Sequence, residues 1–250
     1  MAEALLRTEN LTKSFAGLTA VDHVSLDYDS DELLAVIGPN GAGKTTFFNL
    51  LSGTLPPTEG KIWFNSEEIT NSSPSETAQK GIIRSYQTTQ VFEGLSVEEN
   101  VRLAVQSTRS HYKFWNNAST DEEMLSKTEE ILRRVGLWEK RDQTADSLSH
   151  GEQRTLEIAI ALGGDPDLLL LDEPSSGMSP EETSEVVELI GDLSKGDLGI
   201  IFIEHKMSVV MGVADRIIVL HQGQVLADGT PEEVRQNKDV QRVYLGEEEE

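Results

Sequence analysis

The chain of 250 residues contains no cysteine, which excludes a disulfide framework and a thiolate metal site. Long apolar runs are also missing. The longest, around residues 168–172 and 198–205, have the length of buried strands and fall short of the roughly 18 residues typical of a membrane span. The first ten residues lack the basic, apolar and small-residue succession of a secretory signal. These absences predict a cytoplasmic, water-soluble protein.

Basic side chains are scarce as well, since 21 lysines and arginines stand against 44 aspartates and glutamates, giving a net charge of −23. Proteins that bind nucleic acid need clustered Lys and Arg to contact phosphates, so no nucleic-acid partner is expected. The acidic residues are spread along the chain, which favours a halophilic protein whose self-repulsion is screened by salt. An ordinarily acidic cytoplasmic protein is the alternative.

The order of the apolar patterns indicates the fold class. Strand-like runs open the chain around residues 5–15 and 24–28, and a buried strand at 32–38 leads into a glycine-rich turn and a helix. Residues 96–163 carry apolar side chains at helical spacing, after which strands and helices alternate again. This alternation predicts an α/β protein with a mostly parallel sheet flanked by helices and interrupted by a helical insertion.

The most specific motif is GPNGAGKTT, which fits G-x-x-x-x-G-K-[S/T] between a strand and a helix. Its glycines let successive backbone N–H groups turn inward around phosphates, and the helix N-terminus adds its dipole. Lys44 is expected to contact the β- and γ-phosphates, and Thr45 to be a ligand of Mg²⁺. The predicted ATP-binding residues of this loop are Gly38, Pro39, Asn40, Gly41, Ala42, Gly43, Lys44, Thr45 and Thr46.

Two further strands end in polar residues that suit the same site. Asp172 and Glu173 follow the apolar run LLLL, and His205 follows the run GIIFIE. Ligands bind at the carboxyl edge of such sheets, so we expect the three side chains to meet the phosphate loop there. Asp172 would hold Mg²⁺ through water, Glu173 would polarise the attacking water, and His205 would contact the γ-phosphate.

These motifs together resemble the nucleotide-binding subunit of ATP-binding cassette (ABC) transporters over nearly the whole chain. The resemblance implies one ATPase domain, residues 1–250, that uses ATP and Mg²⁺. Its fold would be a P-loop NTPase (RecA-like) core with a mostly parallel sheet, an N-terminal antiparallel β subdomain and an inserted α-helical subdomain. The core with its β subdomain would comprise residues 1–87 and 164–250, and the helical subdomain residues 88–163.

The family's signature loop, LSGGQ, corresponds here to Leu148, Ser149, His150, Gly151 and Glu152. The resemblance implies that two subunits pair head to tail and that each signature loop binds the γ-phosphate held by its partner. A serine hydroxyl and bare N–H groups at a helix N-terminus suit an anion, although a serine there is also an ordinary helix cap. Two residues depart from the family pattern, because His150 replaces Gly and Glu152 replaces Gln.

Other residues are assigned by the resemblance alone. Gln87 is similar to the glutamine that touches Mg²⁺ and water, with Gln90 as the alternative, and would join Lys44, Glu173 and His205 in catalysis. The implied metal-binding residues are Thr45, Gln87 and, through water, Asp172. Phe15 matches the aromatic residue that stacks on adenine, or else belongs to the core. Ser179 stands where the family usually has Asp or Asn.

Three stretches, residues 81–101, 148–162 and 203–234, resemble the ATPases of branched-chain amino acid importers, as does the ending VYLGEE. The implied protein lies on the inner face of the cell membrane. Its partners would be a second ATPase subunit, two integral membrane permease subunits and, indirectly, an extracytoplasmic substrate-binding protein. The alternatives are the ATPase of a lipopolysaccharide exporter or a urea importer. Two further alternatives belong to other classes of protein. One is a soluble ABC ATPase that acts as a switch, and the other is a nucleotide sensor that binds without turnover.

The charge pattern makes one prediction about stability. If the chain is halophilic, its melting temperature should be higher in molar KCl than at low salt, because the screening length falls to about 3 Å at 1 M salt. Thermal melts monitored by circular dichroism at both salt concentrations measure this difference. Equal melting temperatures would rule out the high-salt interpretation.

Overall fold

The computed structural model describes residues 4–85, 91–107 and 119–245. The strands of this part are β1 (Leu6–Phe15), β2 (Leu18–Tyr28), β3 (Leu33–Ile37), β4 (Glu59–Phe64), β5 (Glu67–Glu68), β6 (Ile82–Ser85), β7 (Leu168–Asp172), β8 (Gly199–Ile203), β9 (Arg216–His221) and β10 (Gln224–Gly229). Its α-helices are α1 (Lys44–Leu51), α2 (Pro74–Gln79), α3 (Val97–Ser107), α4 (Ser119–Arg134), α5 (His150–Gly163), α6 (Pro180–Leu193), α7 (Met207–Val213), α8 (Pro231–Gln236) and α9 (Lys238–Leu245).

A six-stranded sheet in the order β10-β9-β3-β8-β7-β6 forms the centre of the fold. Every pairing from β9 to β6 is parallel, and β10 adds an antiparallel edge through a hairpin with β9. All residues of β3, β7 and β8 are buried, as expected for strands covered on both faces. The carboxyl ends of these three strands therefore meet at one edge of the sheet. The prediction of a mostly parallel sheet is confirmed.

The N-terminal antiparallel sheet is also confirmed, in the order β2-β1-β4-β5. Its second strand begins at Leu18, earlier than the apolar pattern around residues 24–28 predicts. The reason is a tight turn in which Ala16 and Gly17 have φ angles of +42° and +97°, so that Phe15 pairs with Leu18. The third predicted strand of the site ends at Ile203, two residues before His205.

Three helices, α3, α4 and α5, follow one another between β6 and β7 and pack together. Their buried side chains include Val101, Leu132 and Leu156, which belong to the same apolar cluster as Leu169 of the sheet. The expected helical insertion is thus present, and the exact subdomain boundaries stay a prediction. In the described ranges, no helix has the length and apolar character needed to cross a membrane.

Candidate nucleotide-binding site

The loop between β3 and α1 requires glycine at two positions. Gly38 has a φ of +151°, and a Cβ there would lie 2.1 Å from the carbonyl oxygen of Leu220. Gly43 has a φ of +102°, and a Cβ there would lie 2.2 Å from the carbonyl oxygen of Ala20. Glycine also leaves α1 without a side-chain cap, so its first N–H groups are available to an anion.

Lys44 supplies a buried positive charge at the start of α1. Its Nζ donates to the carbonyl oxygens of Gly38 at 2.6 Å and Pro39 at 3.0 Å, and the residue is 6% exposed. Burial lowers the pKa of Lys44, while the negative charge of Glu173 opposes that shift. Lys44 forms no ion pair within 4 Å among the residues described. An ammonium held by carbonyls without a carboxylate partner suits a phosphate ligand.

Asp172, the last residue of β7, is held by two arginines. Arg84 donates to Asp172 Oδ2 from Nε at 2.8 Å and from Nη2 at 2.5 Å. Arg154 donates from Nη2 to the carbonyl oxygen of Asp172 at 2.5 Å. Both arginine side chains are buried, and the Asp172 side chain is 7% exposed. The carboxylate is therefore fixed in orientation, with Oδ1 remaining as an acceptor.

Glu173 and His205 form a direct pair at the same edge. His205 Nε2 lies 3.0 Å from Glu173 Oε1, and the backbone N–H of Glu173 donates to the carbonyl oxygen of Ile203 at 2.9 Å. Glu173 adopts a φ of +44°, which is uncommon for a residue with a side chain and occurs often at functional sites. His205 thus contacts the carboxylate that was predicted to polarise water, and its contact with a γ-phosphate stays a prediction.

Ser149 is the N-cap of α5. Its Oγ accepts from the Glu152 N–H at 3.3 Å, and Glu152 Oε2 accepts from the Ser149 N–H at 3.0 Å. Glu152 thus completes a capping box, a role that glutamine can also fill, so this departure from the family pattern preserves the start of the helix. The salt bridge from Lys140, together with the Ser149 N–H, lowers the pKa of Glu152. His150 Nε2 lies 3.3 Å from the carbonyl oxygen of Ser176.

The N-terminus of α5 already carries an anion from this chain. The Gly151 N–H donates to Glu182 Oε1 at 3.0 Å, and Glu182 lies in the first turn of α6. Glu182 Oε2 also accepts from the N–H of Ser179, which is the N-cap of α6. Ser179, another departure from the family pattern, therefore has a capping role. The N–H groups of Gly151 and Ser179 lower the pKa of Glu182.

The remaining predicted residues lie as follows. Phe15 is 41% exposed, with Lys13 Nζ 5.3 Å from its ring centroid, so the ring is accessible rather than part of the core. Thr45 is exposed beside Lys44. In the loop, Asn40 and Gly41 are exposed, Ala42 is buried, and Pro39 and Thr46 are half-buried. Gln87 and its alternative Gln90 lie outside the described residues.

An apolar groove with a volume of about 750 Å³ lies between β6, α3 and α5. Ile83, Leu103 and Ile160 line it, and Phe92, which is 61% exposed, stands on its wall. Arg84 also lines the groove, so the residue that holds Asp172 borders this surface as well. Sequence reasoning missed Arg84, although a lone charge within the apolar run GIIRSY was visible.

The site contains the donor set that ATP and Mg²⁺ require. A glycine cradle, a buried ammonium, a hydroxyl and strand-end carboxylates are typical of P-loop nucleoside triphosphatases. The fold and the site thus define an ATP-binding α/β protein of the P-loop class. The chain belongs to the ABC transporter family, whose family model matches residues 21–176, and it is an ATPase of that family. A second family model, described as "Branched-chain amino acid ATP-binding cassette transporter", matches residues 224–250.

Named relatives and a solved structure agree with this assignment. The chain is 41% identical to the high-affinity branched-chain amino acid transport ATP-binding protein LivG of Salmonella typhimurium, covering 99% of this chain and 100% of that protein. It is 38% identical to the corresponding protein BraF of Pseudomonas aeruginosa, with the same shares covered. A crystal structure of an ABC transporter cassette in its ADP conformation superimposes with a TM-score of 0.87 at 32% identity, covering 98% of this chain and all of that one.

Glu182 provides a test of how α5 and α6 are joined. Glu182→Ala should lower the melting temperature more than Glu233→Ala, because Glu233 completes a similar capping box in α8 without reaching a second helix. The pKa of Glu182 is lowered in the folded chain, so its stabilisation is present above the ordinary glutamate pKa of about 4.3 and is lost as the pH falls through the lowered value.

Melts of both variants and the wild type from pH 7 to pH 3 give the measurement. The difference between wild type and Glu182→Ala should be largest at neutral pH and disappear at the acid end. Equal losses in the two variants at pH 7 would show that the contact between Glu182 and Gly151 adds no stability.

Proposed function

We propose that this chain is the ATP-hydrolysing subunit of an ABC importer for branched-chain amino acids. The observation that carries the activity is the pairing of Glu173 with His205 at the sheet edge that also carries Lys44 and Asp172. The cargo rests on the relatives, whose printed names assign them to branched-chain amino acid transport and which match this chain over 99% of its length.

Within one chain, the described residues divide the work on ATP. The N–H groups of the phosphate loop and the Lys44 ammonium bind the phosphates, and Phe15 stacks on adenine. Thr45 and, through water, Asp172 would hold Mg²⁺, together with Gln87. When bound, the ion neutralises charge on the β- and γ-phosphates. Arg84, through its two hydrogen bonds to Oδ2, would keep the Asp172 carboxylate in one orientation.

Glu173 positions the attacking water as the terminal phosphate is transferred to it. A carboxylate with one oxygen held by His205 presents its other oxygen in a defined direction, and a fixed base loses less entropy in the transition state. His205, held 3.0 Å from this carboxylate, would contact the γ-phosphate. This division of roles matches hydrolysis rather than binding alone.

Two such subunits, identical or paired with a sister subunit, would close head to tail around ATP. Ser149 and Gly151 of one subunit then bind the γ-phosphate held by the other, because a serine hydroxyl and an N-terminal N–H group suit an anion. Each permease subunit would dock a helix in the apolar groove beside Phe92. Closure on ATP and reopening after hydrolysis would drive the permeases on the inner face of the membrane.

Replacing the water-positioning carboxylate tests the catalytic assignment. Glu173→Gln should lower kcat by about 10² to 10⁴-fold, the range that a general base contributes. ATP binding should persist, because the phosphate loop and Lys44 are unchanged, whereas Lys44→Ala should lose ATP binding itself. Steady-state ATPase assays and equilibrium binding of a fluorescent ATP analogue measure the two quantities. Full turnover by Glu173→Gln would contradict the role of Glu173.

The signature loop is tested with a matched pair of capping serines. Ser149→Ala and Ser73→Ala each remove the N-cap of a helix that has a capping box, at a cost of about 1 kcal/mol. Only Ser149→Ala should also block ATPase activity, by about a hundredfold or more, because it removes a γ-phosphate donor. Binding of ATP to the monomer should stay intact in both. Loss of monomer affinity in Ser149→Ala would contradict binding in trans.

A further inference from the structure

Glu204 is a buried carboxylate that the proposed mechanism does not use. It directly follows β8 and is 3% exposed. Within the described part of the chain, no cationic side chain lies within 4 Å of its carboxylate oxygens. Burying an ionised carboxylate costs free energy unless its oxygens accept hydrogen bonds. Its position beside His205 therefore calls for an explanation.

The hydrogen bonds of Glu204 join two loops. Ser175 Oγ donates to Glu204 Oε1, and Ser175 lies two residues after Glu173. Glu204 Oε2 accepts from the backbone N–H groups of His205 at 2.7 Å and Lys206 at 3.4 Å. The carboxylate thus connects the backbone that carries His205 to the loop that carries Glu173. Charged hydrogen bonds of this kind are stronger and more directional than neutral ones.

Lys206 also connects the loop that carries His205 to the loop that carries Glu173. Its Nζ donates to the carbonyl oxygen of Ser175 at 2.9 Å. The chain from Glu173 through Ser175 and Glu204 to His205 is then closed by the contact of 3.0 Å between His205 Nε2 and Glu173 Oε1. Because β8 stops at Ile203, the strand itself does not hold His205 in place. A closed ring of contacts restricts the imidazole more than the end of the strand would alone.

We infer that Glu204, acting with Ser175, is a positioning residue that holds His205 against Glu173. The inference rests on the proposed function, in which Glu173 positions water for ATP hydrolysis. Glu204 is buried and acts through the loops that carry His205 and Glu173 rather than by contact with ATP. An error of about 1 Å in the position of a catalytic group can reduce a rate about a hundredfold, so a buried carboxylate here would affect turnover without touching ATP.

Kinetics of Glu204 variants give the first test. Glu204→Ala should lower kcat by about tenfold to a hundredfold and leave the KM for ATP within about twofold, because the phosphate loop is unchanged. Glu204→Gln should restore most of kcat, since its amide oxygen can accept from the two backbone N–H groups while its NH₂ contacts Ser175 Oγ. Ser175→Ala should fall between these two variants.

Tyr28→Phe is the matched control for lost stability. The Tyr28 hydroxyl is buried and bonds to the N–H and carbonyl of Ile200 in the same strand, β8, but far from the loop of His205. The Tyr28→Phe variant should have a lower melting temperature than the wild type and an unchanged kcat. If Glu204→Ala loses no kcat, or if Tyr28→Phe loses as much kcat at equal stability, the positioning role is wrong.

A second readout does not depend on activity. The chain has five histidines, so the ¹⁵N resonances of the His205 imidazole can be assigned by comparison with His205→Ala. Glu173→Gln should shift these resonances in the wild-type background and leave them unchanged in Glu204→Ala, where the pair is no longer held. A shift of equal size in both backgrounds would overturn the inference. If Glu173→Gln retains ATPase activity, the proposed function fails. The spectroscopic test still shows whether Glu204 holds His205 against Glu173.

Discussion

Parallel hydrogen bonding among β3, β8 and β7 is the constraint on which the rest of the molecule depends. The register pairs Leu34 with Ile201 and Leu169 with Ile200, so the three strands end at one edge. Neighbouring strands lie about 4.8 Å apart, which brings the loops that follow them within side-chain reach of one another. Because each strand is buried and carries no charged side chain before its last residue, charged groups appear only where the strands end. The phosphate loop, the two carboxylates and the histidine are gathered there for that reason.

Four of the 21 lysines and arginines of this acidic chain lie around that edge. Lys44 lies in the phosphate loop, Arg84 and Arg154 hold Asp172, and Lys206 joins the two loops beneath His205. Each of these charges contacts oxygen atoms that would otherwise be poorly satisfied in a buried region. Arg154 Nε is the exception, because it is buried without a hydrogen-bond partner among the described residues. In a chain with a net charge of −23, these four cations contact oxygen atoms at the sheet edge that carries the phosphate loop.

Local patterns were enough to predict the mostly parallel sheet, the glycine cradle and the carboxylates at the strand ends. The phosphate loop is readable because its glycines, lysine and threonine are contiguous and its backbone geometry demands them. Contacts made across the fold were not readable. Arg84 is 88 residues from Asp172, and Ser175 is 29 residues from Glu204, so only the sheet register brings them together. The capping boxes that contain Glu152 and Ser179 are local patterns of Ser followed three residues later by Glu, although comparison with the family pattern identified both residues only as departures.

At the N-terminus of α5, a contact that is local in sequence lies beside a contact made across the fold. Its serine cap is satisfied locally by Glu152, but the N–H of Gly151, a buried residue, donates to Glu182 of α6. That donor is the one assigned to a γ-phosphate of the partner subunit under the proposed function. A phosphate and a carboxylate cannot share a single N–H group at full strength, so binding in trans must displace or reorient Glu182. Under that proposal, the affinity of the closed dimer includes the cost of breaking this contact between the first turns of α5 and α6.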